Sequence, residues 1–226
     1  MNSCIFCHCA KLYVKSPTQV QCATCKRSWS VLKVQKDDEI IDAFLENFTI
    51  AECSKKLSLN YITVKKMYQK IRLLLCNYSQ ECYLGQPNTF LEYDEFYYLP
   101  HTKQKKTRFF LDAVGIFGMV YEKVWVYTLL LPDQLTPFKR LLEDEINPHV
   151  DNEAYARYLN HHKVTHINSF EHRLGAFWDY FETFMCAFKG VKKENLFYYL
   201  KEAEFKFNYT KEQQKEILRG LWRENM

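Results

Sequence analysis

Hydrophobic positions along the chain change period three times, and each change predicts a different kind of element. Ile40, Ile41, Phe44 and Leu45 recur at three-to-four spacing, predicting a helix that opens at Asp37 and Asp38, acidic residues suited to the positive end of its dipole. Thr49 to Leu57 reads as a second short helix, Ser58-Leu59-Asn60 as a turn, and Tyr61 to Leu75 as a third helix. Gly85-Gln86-Pro87-Asn88 breaks the pattern and predicts a boundary. Beyond it, Phe90 to Leu99, Arg108 to Val114 and Val120 to Leu131 are aromatic and β-branched, predicting three strands. Pro137 to Glu145 reads as a helix, a short strand falls at His149-Val150, and another helix starts near Asp151. Helical periodicity returns from about Phe170 to Phe188 and from Lys193 to Asn208. Strands followed by helices predict an α/β fold.

Before residue 37 the signal is chemical. Cys4-x-x-Cys7 and Cys22-x-x-Cys25 are separated by fourteen residues, a spacing that lets two knuckles surround one tetrahedral Zn²⁺. Tyr13, Val14, Val20 and Trp29 to Val34 predict the short strands of a zinc ribbon; His8 and Cys9 are placed to substitute as ligands, with an ordinary buried thiol as the alternative for Cys9. Such a segment has few large aliphatic side chains, so the metal is expected to hold it folded.

Charge follows the same division. The 226-residue chain has a net charge of +4, yet residues 1–36 hold six Lys or Arg and no acid. Residues 1–87 carry 12 basic against 7 acidic side chains, net +5, leaving −1 for the rest, so an acidic partner is expected at the N-terminal third. If the three helices form a helix-turn-helix, Asn60, Tyr61, Thr63, Lys65 and Lys66 start its recognition helix, and Lys70 and Arg72 are placed for phosphates of double-stranded DNA. A plain three-helix packing module is the alternative. Nine cysteines, an odd number, no leader and a longest apolar run of only Val124 to Leu131 predict a cytoplasmic chain with reduced thiols and no membrane span.

The paired knuckles, the helix-turn-helix, Glu92-Tyr93-Asp94-Glu95, Phe177-Trp178, Phe188-Lys189-Gly190-Val191 and the run Leu200-Lys201-Glu202-Ala203-Glu204-Phe205-Lys206-Phe207-Asn208 together resemble the small zinc-ribbon insertion-sequence transposases of the ISXO-two-like group. The resemblance implies a zinc ribbon over 1–36, a helix-turn-helix segment over 37–87 and an RNase H-like core with C-terminal helices over 88–226. It also implies carboxylates holding two catalytic Mg²⁺ ions, because that hard ion takes oxygen ligands, and a homo-oligomer assembled on DNA. Asp94 matches the first catalytic Asp and Asp151 the second. At the third position the match departs: aligned on Phe177-Trp178, His172 falls at an Asn position, Gly175 at a Glu position and Glu182 at a Lys position, so Glu171 and His172 are the candidate ligands, with Asn168 as the alternative. Read alone, Asp94 is an edge-strand charge and Asp151 a helix cap. Three functions stay open: an active transposase, a transposase-derived DNA-binding protein with an inactive core, and a zinc-ribbon transcription regulator.

Overall fold

The structure, a computed structural model, describes residues 3–85, 90–99, 113–122, 124–132 and 173–226. The expected elements at 137–145, 149–150 and 151 lie outside these residues. Two compact units result, one of residues 1–75 with 209–226 and the other of 76–208. The described residues are mixed α/β with two three-stranded sheets.

In the first unit, strands β1 (Leu12–Ser16), β2 (Gln19–Cys22) and β3 (Ser28–Ser30) form an antiparallel meander. Its small core gathers Cys4, Ile5, Cys22, Trp29 and Val34. The third strand ends at Ser30, not at Val34, because the Ser30 side chain accepts the Lys33 N–H and starts helix α1 (Val31–Leu45). Asp37 and Asp38 therefore lie inside α1, not at its start. Helix α2 (Ile50–Lys56) opens with a capping box, in which Thr49 Oγ1 accepts the Glu52 N–H while Glu52 accepts the Thr49 N–H. Helix α3 (Tyr61–Leu84) runs nine residues past the expected end. Ile40, Ile41, Phe44, Val64, Tyr68 and Ile71 are buried in this unit, and the Phe44 and Tyr68 rings meet edge to face at 5.0 Å.

A last helix, α6 (Lys211–Glu224), was not expected from the sequence. Its Thr210–Gln213 capping box starts it, and it packs along α1. Trp222 Nε1 donates to Asp37 Oδ2 at 3.0 Å, and Arg219 Nη2 lies 3.0 Å from both oxygens of Asp42. The aspartates of α1 thus serve as docking points for α6. Burial pushes the Asp37 carboxyl above its usual pKa, although the Trp222 N–H works against that shift.

The second unit is built on β4 (Phe90–Tyr98), β5 (Val114–Tyr121) and β6 (Trp125–Leu130), again antiparallel in chain order. Of the expected strand at 108–114 only residues 113 and 114 are described, and β5 begins at Val114 and runs on through Gly115 and Gly118. The expected strand at 120–131 is corrected: Val120 and Tyr121 end β5, and the hairpin turns at Glu122, whose φ is 48°, before β6 starts at Trp125. Helices α4 (Arg173–Cys186) and α5 (Leu196–Asn208) cover one face. There Ile116, Val120 and Val126 pack with Leu174, Phe177, Phe181 and Leu200. The opposite face carries Met119, Tyr121 and Tyr127, with Tyr83 of α3 stacked on Tyr127 at 4.1 Å.

Candidate functional site

The four predicted cysteines converge. Cys4 Sγ is 3.7 Å from Cys25 Sγ, Cys7 Sγ is 3.5 Å from Cys22 Sγ, and all four sulfurs lie within 4.8 Å of one another. A tetrahedral ion with metal–sulfur bonds of about 2.3 Å requires sulfur–sulfur edges of about 3.8 Å, so the set fits a structural metal such as Zn²⁺. Local backbone geometry explains the convergence. Phe6 N–H points at Cys4 Sγ and Thr24 N–H at Cys22 Sγ, each donor two residues after its acceptor. The residue after each knuckle, His8 and Lys26, turns the chain with φ of 59° and 60°. Cys9 stands apart from the four and accepts a hydrogen bond from Thr24 Oγ1 at 3.0 Å.

The thiols hold their protons unequally. Desolvation opposes ionisation of Cys22, but the N–H groups of Cys25 and Thr24 outweigh it and lower the pKa to about 6. At Cys7 the Cys9 N–H favours the thiolate, yet desolvation and the three crowded thiols prevail and raise the pKa to about 12. Metal entry must therefore displace protons, which ties affinity to pH.

The DNA-facing candidates separate into two groups. Tyr61, Lys65 and Lys66 are exposed on α3 and Thr63 is half-buried. Asn60 is exposed too, but its Oδ1 accepts the Ile62 N–H at 2.8 Å, which makes it the cap of α3. Ser58, with φ 51°, sets the turn between α2 and α3. Lys70 and Arg72 both make contacts inside the first unit, although Lys70 is exposed. Lys70 Nζ donates to the Asn225 carbonyl at 2.8 Å and sits 4.5 Å above the Trp222 ring. Arg72 is only 4% exposed, with its guanidinium over the Phe44 and Tyr68 rings, so it cannot meet a phosphate. Helical spacing alone does not separate a buried cation from a solvated one.

Asp94 lies on the face of β4 that α4 covers. Its Oδ1 accepts the Glu95 N–H at 2.8 Å and its Oδ2 accepts Trp178 Nε1–H at 3.2 Å. Opposite Asp94 on β5 is Gly118, where a Cβ would stand 2.6 Å from the Trp178 ring. The missing side chain lets that indole reach the carboxylate. Glu92, two residues earlier and on the same face, accepts the N–H groups of Arg173 and Leu174 at 3.1 and 3.2 Å and so caps α4. Glu182 is exposed on α4. Asp151, Asn168, Glu171 and His172 lie outside the described residues.

A charged cluster on α5 was missed as a functional unit. Glu204 Oε2 accepts from Thr128 N and Oγ1 at 2.8 and 2.6 Å and pairs with Lys201 Nζ at 2.8 Å, while its other oxygen accepts from Ser79. Asn208 donates to the Val126 carbonyl and accepts the Val126 N–H, at 2.7 and 2.9 Å. Lys206 and Glu202 form a second buried pair at 2.6 Å. Within the run Leu200 to Asn208, Glu204 and Asn208 thus fasten α5 to strand β6. No family model matches the chain, and no curated protein or solved structure matches it.

Proposed function

We propose that the chain is a DNA transposase: its N-terminal unit binds the terminal inverted repeats of an insertion sequence through a helix-turn-helix of α1 to α3, and an RNase H-like core carries out metal-dependent strand cleavage and transfer. The reading is supported most by the joining of β4 to α4. Asp94, the candidate first carboxylate, bonds the Trp178 indole of α4, and Glu92 caps that helix just after Glu171 and His172 in the chain. A two-metal site needs carboxylates from separate elements brought to one place, with Asp94 and Asp151 as the paired Mg²⁺ ligands and Glu171 or His172 completing the set. Each oxygen of Asp94 accepts a single described hydrogen bond, which leaves lone pairs for an ion. On the DNA side, exposed Tyr61, Lys65 and Lys66 follow the Ser58 turn, and Lys55 and Lys56 of α2 add positive charge. Two copies paired on two DNA ends complete the reading.

The test is incubation with Mg²⁺ or Mn²⁺ and a duplex carrying the inverted repeats. Nicking or joining is expected from the wild type and none from Asp94→Ala. Tight duplex binding without cleavage would instead support a transposase-derived DNA-binding protein. That second reading draws on exposed Glu182, an acid where the resembled family carries a Lys. Lys65→Ala with Lys66→Ala is expected to weaken duplex binding and flatten its salt dependence by about 1.8 in slope. Unchanged affinity would remove the helix-turn-helix assignment.

A further inference from the structure

The ribbon's sheet has two faces, and its small core uses one of them. Val20, Cys22 and Trp29 turn toward the cysteines, as does Leu12, which pairs with Cys22. On the other face Tyr13 pairs with Gln21 and Gln21 with Ser28, forming a polar row across three strands. Tyr13 is 49% exposed at one end of that row. Lys11 and Lys15 are exposed two residues before and two after it, with a β-bulge between Val14 and Ser16 at the second. The Gln21 carboxamide is fixed beside the ring by donating to the Lys26 carbonyl at 2.7 Å.

We propose that this face binds single-stranded DNA, with Tyr13 stacked on an unpaired base and Lys11 and Lys15 meeting the phosphates on either side. Charge complementarity carries the choice of partner, since residues 1–36 hold six cations and no acid to repel a phosphate. Four thiolates around a divalent ion leave that centre at −2, which the six cations still exceed. A ring exposed on a flat polar sheet suits stacking on a base, and a paired base in a duplex offers no free face to receive it. Two residues of strand span about 7 Å, so each lysine stands one short step along a backbone from the stacked base. The choice of DNA over RNA rests on the transposase reading; the stacking site does not.

The experiment is fluorescence anisotropy of the full zinc-loaded chain with labelled oligo-dT, with oligo-U and a duplex as parallel probes. Tyr13→Ala is expected to weaken oligo-dT binding by about tenfold, and Tyr13→Phe, which keeps the ring, to bind like the wild type. Lys11→Gln with Lys15→Gln is expected to reduce the slope of log affinity against log salt by about 1.4. Zinc content reports whether each variant keeps the ribbon folded. No oligo-dT binding by the wild type, or equal affinity of Tyr13→Ala and wild type, overturns the proposal, and tighter binding of oligo-U than of oligo-dT reassigns the face and overturns it too. If Lys65→Ala with Lys66→Ala leaves duplex binding intact while Tyr13→Ala loses oligo-dT, the helix-turn-helix reading fails and this one stands.

Discussion

Both sheets among the described residues are three antiparallel strands in chain order, yet they are closed by opposite means. The ribbon β1–β3 rests on four sulfurs and a core of five buried residues. The sheet β4–β6 rests on two helices whose aromatic side chains fill one face, and on hydrogen bonds from Glu204 and Asn208 that bind α5 to β6. Identical topology therefore says little about what holds a sheet together. The first has a cysteine set that could hold a metal at its centre, and the second, among the described residues, is held by side-chain packing.

Metal removal should break this comparison most sharply. Chelation, or Cys22→Ser, is expected to unfold residues 3–30 while the second unit keeps its structure, since structural zinc contributes about 10–16 kcal/mol in small zinc modules. Limited proteolysis read by mass spectrometry checks it; equal protection of the ribbon with and without metal would sink the idea. Next in size, Glu204→Ala leaves Lys201 buried without its partner and is expected to cost about 3–5 kcal/mol in denaturant unfolding of the second unit. Gly118→Ala drives a methyl into the Trp178 ring and should cost about 1–3 kcal/mol, with a change in indole fluorescence as the ring is displaced. Smallest is Gln21→Ala, which removes one exposed hydrogen bond from the ribbon and is expected to cost about 0.5–1.5 kcal/mol in the zinc-loaded chain.

The parts legible in the sequence are those whose signal is local. Cys4, Cys7, Cys22 and Cys25 were identified from spacing alone because each knuckle is a four-residue turn that needs no distant partner. The helices α1 to α3 followed from periodicity. Errors arose where a distant contact decides. Gly115 and Gly118 fall between the expected strands, but Gly118 is a strand residue kept bare for an indole sixty residues away. Asp37 and Asp38 read as a helix start, whereas both partner α6 from the far end of the chain. The Thr210–Gln213 capping box is a local signal for α6. Arg72 shows the limit most plainly: a cation at a helix position facing DNA in projection is buried over two rings. Of the candidate catalytic residues only Asp94 lies among those described, and its indole partner is not deducible from the strand that carries it.

The side chains of Glu204 and Asn208 have a consequence for how the second sheet can grow. They occupy the outward N–H of Thr128 and both outward backbone groups of Val126, so α5 stands where a neighbouring strand would lie. Elongation from β6 is stopped there by side chains that imitate a strand. Among the described strands, the vacant side is that of β4. Any additional strand, from this chain or from a second copy, would be recruited alongside Asp94, and the sheet is in that sense polar: sealed at one border and receptive at the other.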